Sequence, residues 1–220
     1  MIQKFLKVFF HLLYHPMAWS YDLVAYLVSL GKWKSWVAAA LPLLADGPVL
    51  ELGYGPGHLQ RLLREQGRPA WGLDESRQMA RLARRNLRGV PGPLTIVRGR
   101  AEALPFPAGQ FQTVVATFPS PYIHRVETLA EARRVLAPGG RLVVLLGAWI
   151  SGRRPLERAA ALLFRVTGES PPNTGLPKAV LEPYRQAGLA PETRVVELES
   201  SRLLVVVASR AENLNNSLVI

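Results

Sequence analysis

The 220-residue sequence contains no cysteine, which excludes disulfides, thiolate metal ligands and cysteine nucleophiles. Histidines number four (His11, His15, His58 and His124), and none pairs with another at a ligand spacing such as H-E-x-x-H. No metal site is therefore expected. No G-x-x-x-x-G-K-[ST] occurs, so the phosphate loop of nucleotide hydrolases is excluded as well. Negative charge is scarce: 16 acidic residues stand against 27 Lys and Arg, for a net charge of +11. That balance favours an anionic partner, whether nucleic acid, a membrane surface or an acidic metabolite. Because 22 of the 27 are arginine, an arginine-rich surface habit accounts for the charge equally well. Long apolar runs are missing too. Lys4, Lys7, His11, Pro16 and Asp22 interrupt every window of about 18–20 residues near the start, so no transmembrane helix is expected. No small-residue cleavage site follows the first apolar stretch, which argues against a secretory signal and for a cytoplasmic protein.

With 49% hydrophobic residues, the length suits one packed domain plus an appendage. The appendage is read as a helical cap over residues 1–45. In residues 1–16 Lys4, Lys7, His11 and His15 form a narrow polar stripe on an otherwise apolar helix that Pro16 ends. A second helix reaches Gly31, and a third covers Trp33–Leu44. The cap fits a membrane interface, where Trp33 and Trp36 beside Lys32 and Lys34 suit an anionic surface and the protein would be peripheral. It fits equally a lid packed over the rest of the chain.

From residue 48 strands and helices alternate, as parallel α/β sheets require. Strands are expected at Pro48–Leu52, Pro69–Leu73, Leu94–Val97, Phe111–Thr117 and Arg141–Leu146. Helices are expected at Gly57–Gln66, Ser76–Arg88 and Val126–Leu136, with Pro138-Gly139-Gly140 breaking the chain before the fifth strand. Residues 151–176 read as an insertion with a short helix at Leu156–Val166. A helix at Lys178–Ala187 and a hairpin of Thr193–Glu199 with Arg202–Ala208 close the domain, taken as 46–210, before a tail over 211–220.

The first strand runs into Glu51-Leu52-Gly53-Tyr54-Gly55-Pro56-Gly57, a glycine loop at the sheet edge where such folds bind ligands. The third glycine comes one residue too early for the G-x-G-x-x-G dinucleotide fingerprint. The stretch instead resembles the E/D-x-G-x-G-x-G motif of class I S-adenosylmethionine-dependent methyltransferases. Three further segments agree in order and spacing: "WGLDES", "GRAEALPFPAGQFQTVVATFP" and "LAEARRVLAPGGRLVVL". The last two resemble the ubiquinone/menaquinone-type and related small-molecule methyltransferases. The resemblance covers about residues 48–147. It implies a Rossmann-like doubly wound sheet of order 3-2-1-4-5-7-6 with the last strand antiparallel, and S-adenosyl-L-methionine as cofactor. It further implies that Gly53, Tyr54, Gly55 and Gly57 wrap the methionine part, with Glu51 holding the ammonium group. Asp74, beside Glu75, takes the ribose hydroxyls. Arg100 and Ala101 border the adenine, and Thr117 with Phe118 approaches the amino-acid moiety. Tyr21, in a Y-D pair that many members share, would close over the cofactor or simply pack. The family usually carries Asp where Arg100 stands, and arginine has no acceptor for the adenine amino group. The family's F-D is here Phe111-Gln112, read as structural.

Methyl transfer needs a nucleophile held in line with the sulfonium methyl, and a base only if the acceptor must lose a proton. Candidate groups are Tyr14, Tyr21, His58, Tyr122 and His124. Of these, Tyr122 and His124 follow the fourth strand, where the family contacts acceptors. "PSPY" at 119–122 resembles the N/D-P-P-Y loop of amino-methyltransferases and favours nitrogen as the methylated atom. The cap also resembles, in layout, that of bacterial phospholipid N-methyltransferases. The expected acceptor is a lipophilic or membrane-associated small molecule, such as a lipid amine. The alternative is a soluble metabolite beneath a helical lid. An RNA acceptor or a non-catalytic S-adenosylmethionine-binding role ranks below both. The arginines at 77, 81, 84, 85 and 88 share a helix face and are read as a solvated surface.

Overall fold

The computed structural model describes residues 29–151 and 176–211. The two helices expected before Gly31, with Tyr14 and Tyr21, lie outside the described residues, as do the helix expected at 156–166 and the tail from 212.

Seven strands form one sheet of order β3-β2-β1-β4-β5-β7-β6. They are β1 Val49–Leu52, β2 Ala70–Asp74, β3 Ile96–Arg98, β4 Phe111–Thr117, β5 Leu136–Ile150, β6 Leu189–Leu198 and β7 Ser201–Arg210. The first five pair in parallel, and β7 runs antiparallel to both β5 and β6. The order and the reversed last strand are those that the resemblance implies. The described α-helices are α1 Trp33–Ala38, α2 His58–Glu65, α3 Arg77–Asn86, α4 Val126–Val135 and α5 Lys178–Gln186.

Both faces of the sheet are covered, and β4 shows how. Successive strand side chains point to opposite faces, and a strand buried on both reads as a continuous apolar run. Val114 and Ala116 join one core with Leu129, Ala132 and Val135 of α4 and Tyr184 of α5. Val115 joins the other with Trp36, Val37 and Ala40 from α1 and its C-terminal end, and with Leu59 and Leu63 of α2. Helix α3 closes on β3 through a third cluster of Ala80, Ala83, Leu87 and Ile96 around Tyr54.

Strand β4 has the bounds its β-branched run predicts. Helix α1 is shorter than expected, because Pro42 has no N–H to continue the α ladder. The chain instead makes a 3₁₀ turn over Leu41–Leu43. Pro138-Gly139-Gly140 does not break the chain before a strand, as expected, but lies within β5. Gly139 at φ 73° absorbs the irregularity, and the register against β4 shifts between Phe111 and Thr113. A Cβ on Gly140 would stand 2.9 Å from the Ala137 carbonyl oxygen and 3.1 Å from that of Gln112, so only glycine lets the strands close there. The hairpin strands are longer than predicted and turn at Glu199 and Ser200. Pro191 is accommodated because β6 is an edge strand.

Candidate cofactor and acceptor site

The glycine loop leaves β1 at the carboxyl edge and enters α2. Gly53, Gly55 and Gly57 have φ of 72°, 51° and 88°, left-handed values that cost other residues about 1–2 kcal/mol each. A Cβ on Gly53 would lie 2.7 Å from the Tyr122 hydroxyl, and one on Gly57 3.3 Å from Leu87. A Cβ on Gly55 would meet nothing within 4 Å, so the loop opens at its middle glycine. The Tyr54 side chain turns away from that opening into the apolar cluster under α3, leaving its main chain in the loop.

Glu51 is 1% exposed, and Gln60 of α2 donates a 2.9 Å hydrogen bond to its Oε2. The same Gln60 amide reaches the Trp71 carbonyl at 3.1 Å. Burial pushes the Glu51 carboxyl up to about 8 against the pull of the Gln60 bond, with Asp74 adding a smaller push. A buried carboxyl with its pKa near neutrality is poised to ionise when a cation arrives.

Asp74 ends β2, two residues beyond Gly72, the partner of Glu51 in the parallel β1–β2 ladder. The Gly55 amide donates to its Oδ2 at 2.9 Å and the Ser76 amide to its Oδ1 at 2.8 Å. Burial raises its pKa, while those two bonds oppose the rise. Each oxygen keeps acceptor capacity for one of two neighbouring hydroxyls. Glu75 beside it is exposed. Ala101 is buried, whereas the exposed Arg100 lies 3.5 Å from Glu102, which Arg125 meets at 2.5 Å. The arginine that replaces the usual aspartate thus belongs to a surface ion-pair triad.

At the end of β4, Thr117 pairs with Leu145 of β5, and Phe118 takes φ 50°, an uncommon conformation for an aromatic residue. Its amide is fixed to the Leu145 carbonyl at 2.8 Å, and its ring meets Trp33 at 4.9 Å and Trp36 at 6.2 Å. Helix α1 thereby packs on the end of β4, with Trp33 and Phe118 half-buried. Trp36 is buried in the core, so it does not face the interface expected from the sequence. Tyr122 and His124 follow on one 3₁₀ turn, Pro121–His124, and diverge. The Tyr122 hydroxyl reaches the glycine loop at Gly53, while His124 Nδ1 lies 3.4 Å from the hydroxyl of fully buried Tyr184 on α5. Burial lowers the His124 pKa, favouring neutral imidazole, and raises that of Tyr184. His58 is the first residue of α2.

Two features escaped the sequence reading. One is Gln60, which holds Glu51 from the next helix; its only signal was a polar residue on the buried side of α2. The other joins two of the motifs through space. Glu131 Oε2 accepts from the Leu104 amide at 2.7 Å. Arg134 bonds Glu131 at 2.6 Å and donates to the carbonyls of Phe106 at 2.7 Å and Leu104 at 2.9 Å. The E-x-x-R of α4 is thus a clamp on the A-L-P-F segment after β3. Among the described residues no group of acidic and histidine side chains could hold a metal ion, and no helix is long and apolar enough to cross a membrane.

Residues 49–140 match the family described as a methyltransferase domain. The chain is 35% identical over 141 residues to the ubiquinone/menaquinone biosynthesis C-methyltransferase UbiE of Burkholderia mallei, and equally to that of Burkholderia thailandensis. The match takes in 60% of this chain and 57% of the relative, so the chain spans little more than half the length of the curated relatives it matches. Among solved structures, a Thermotoga maritima S-adenosylmethionine-dependent methyltransferase superposes with a TM-score of 0.61 at 20% identity, over 91% of this chain and 99% of that one. The geranyl diphosphate C-methyltransferase of Streptomyces coelicolor gives 0.59 at 14% identity, over 80% and 79%. Residues 49–140 thus carry a methyltransferase domain, set on the sheet that S-adenosylmethionine-dependent methyltransferases of known structure share.

Proposed function

We propose that the chain transfers a methyl group from S-adenosyl-L-methionine to carbon on a lipophilic or membrane-associated small molecule. The observation that carries the reading is the joint placement of Glu51, the open glycine loop and amide-held Asp74 along adjoining strand ends. Bound there, the cofactor supplies an activated methyl on a sulfonium. Glu51 would neutralise its ammonium group, the backbone of Gly53–Gly57 would follow the methionine part, and Asp74 would receive the ribose hydroxyls. Ala101 would border the adenine, with no acceptor from Arg100, which is committed to Glu102.

Tyr122 stands at the glycine loop, the better placed of the two candidate catalytic groups, and would position the nucleophile. His124, neutral and held against Tyr184, would take the proton that a carbon acceptor loses as the new C–C bond forms and the C–S bond breaks. The curated relatives' name, ubiquinone/menaquinone biosynthesis C-methyltransferase, favours carbon; "PSPY" and the Thermotoga maritima structure, described as a possible histamine N-methyltransferase, keep nitrogen as the alternative. The half-buried rings of Trp33 and Phe118 at the end of β4 favour an apolar acceptor over a soluble metabolite.

Calorimetry with S-adenosylmethionine and S-adenosylhomocysteine tests the first part: micromolar binding is expected, and none overturns it. Incubating the chain with labelled S-adenosylmethionine and a total lipid extract tests the second. Label extracting into organic solvent supports a lipophilic acceptor. Label confined to an aqueous metabolite fraction overturns that choice and favours the lid reading of the N-terminal helices.

A further inference from the structure

We infer that the outer face of α3 docks the protein on an anionic phospholipid bilayer. From Ser76 through Ala101 the sequence has seven arginines and no acidic residue. Four of them, Arg77, Arg81, Arg84 and Arg85, recur on α3 at steps that place them within an arc of about 100° over about 12 Å of helix. Arg88 follows in the next turn. All five are exposed, and none makes an ion pair among the described residues. By contrast Arg61, Arg100, Arg125, Arg134, Arg185, Arg194 and Arg202 all lie within 4 Å of a carboxylate. Arg64, Arg68, Arg133 and Arg210, which also lack a carboxylate, donate to main-chain carbonyls. The described guanidiniums with neither kind of partner are Arg98, Arg141 and the five of this stripe, which holds most of them.

The opposite side of α3 is anchored in the domain by Met79, Ala80 and Ala83, so the charged face is rigidly presented. It belongs to the outer end of the sheet, where β3 is the edge strand and carries exposed Arg98. Helix α3 adjoins the site: Asn86 at its end donates to the Pro56 carbonyl of the glycine loop at 3.0 Å, and a Cβ on Gly57 would stand 3.4 Å from Ala83.

Phosphate is the chemistry that five unpaired guanidiniums select. Two observations favour lipid over RNA as its source. No aromatic side chain among the described residues is exposed, so the stripe has no platform on which bases could stack. Just beyond it, Pro91-Gly92-Pro93-Leu94 is exposed throughout, with Leu94 46% accessible and aliphatic, as an interface requires. The inference draws its purpose, though not its evidence, from the membrane-associated acceptor proposed above: a bilayer against α3 would bring that acceptor to the edge holding Asp74.

The test is co-sedimentation of the full chain with vesicles of phosphatidylcholine alone and with one-third phosphatidylglycerol. Partitioning only onto the anionic vesicles, weakened by salt, is expected. The combined variant Arg81→Gln, Arg84→Gln, Arg85→Gln should bind them about 100-fold more weakly, at roughly 1 kcal/mol per basic side chain near an anionic surface. The Arg→Lys triple at the same positions should keep most of the binding. A charge-matched control with Arg185, Arg194 and Arg202 changed to Gln should bind as the wild type does. Absence of wild-type binding to anionic vesicles overturns the inference, as does equal loss in stripe and control variants. Tighter binding of a single-stranded RNA oligonucleotide than of vesicles at equal phosphate, lost in the stripe variant, assigns the face to nucleic acid instead. Calorimetry with S-adenosylmethionine on each variant reads the methyltransferase proposal separately, since none of these residues lines the glycine loop.

Discussion

The Gly55 amide donates a 2.9 Å hydrogen bond to Asp74 Oδ2, tying the middle of the glycine loop to the carboxylate at the end of the neighbouring strand. Asp74 therefore acts on the loop as well as on any hydroxyl that reaches it. Asp74→Asn presents an amide N–H₂ to one of two backbone N–H groups, whereas Asp74→Ala removes both bonds. Each variant should lose about 1.5–3 kcal/mol per charge-assisted bond lost. Calorimetry should show S-adenosylmethionine binding at least 10-fold weaker in both. Asparagine binding as tightly as aspartate would refute this account of the loop.

At Gly53 two penalties coincide, φ of 72° and the Tyr122 hydroxyl 2.7 Å from any added Cβ. Gly53→Ala should therefore cost more than the 1–2 kcal/mol expected of conformation alone, read by denaturant unfolding. Adding Tyr122→Phe removes the clashing oxygen and should recover the excess while leaving the conformational part. Gly55→Ala, with open space around its Cβ, should cost only that part in stability yet still weaken the cofactor.

Glu51 titrates at about 8 in the fold against an ordinary 4.5. The folded chain keeps a proton that the unfolded chain has released between those values. Its stability should accordingly fall as pH rises through that window, by up to about 1.4 kcal/mol per pH unit. Glu51→Gln should flatten this dependence and melt higher than the wild type near pH 8, while binding S-adenosylmethionine far more weakly. If Glu51 receives the cofactor's ammonium, cofactor binding releases a proton near neutral pH. Calorimetry in two buffers of different ionisation enthalpy should then give different apparent heats, and identical heats would count against that role.

The Glu131–Arg134 clamp makes several charge-assisted bonds to the segment after β3. Part-exposure of both side chains limits its worth, and Glu131→Ala should cost about 1–2 kcal/mol. The exposed Glu182–Arg185 pair offers a comparison: Glu182→Ala should cost under about 0.5 kcal/mol. Parallel urea titrations would check the contrast.

Particular residues show what could be read in the sequence. Glu51, the three loop glycines and Asp74 were legible because each follows a short apolar strand, and a parallel sheet gathers such positions at one edge. Strand β4 was legible because its side chains are apolar on both faces. The Gln60–Glu51 bond and the clamp from Glu131 to Leu104 were not, since both join segments whose meeting depends on helix packing. The divergence of Tyr122 and His124 was hidden because their backbone takes a 3₁₀ turn, which sends residues two apart in different directions. Proline misled once in each sense: Pro42 ended a helix early, and Pro138 did not interrupt β5.

Because β2, β1 and β4 are adjacent and parallel, Asp74, Glu51 and Phe118 ride on one hydrogen-bonded slab. Their relative positions are set when the chain folds, before any ligand arrives. The ordering entropy of these groups is thus charged to folding and not to binding, so ligand affinity is not diluted by assembling them. A corollary is that changes weakening the sheet far from the site, at the β5–β7 seam for instance, should lower the temperature at which the ligand is held without altering its affinity below that temperature.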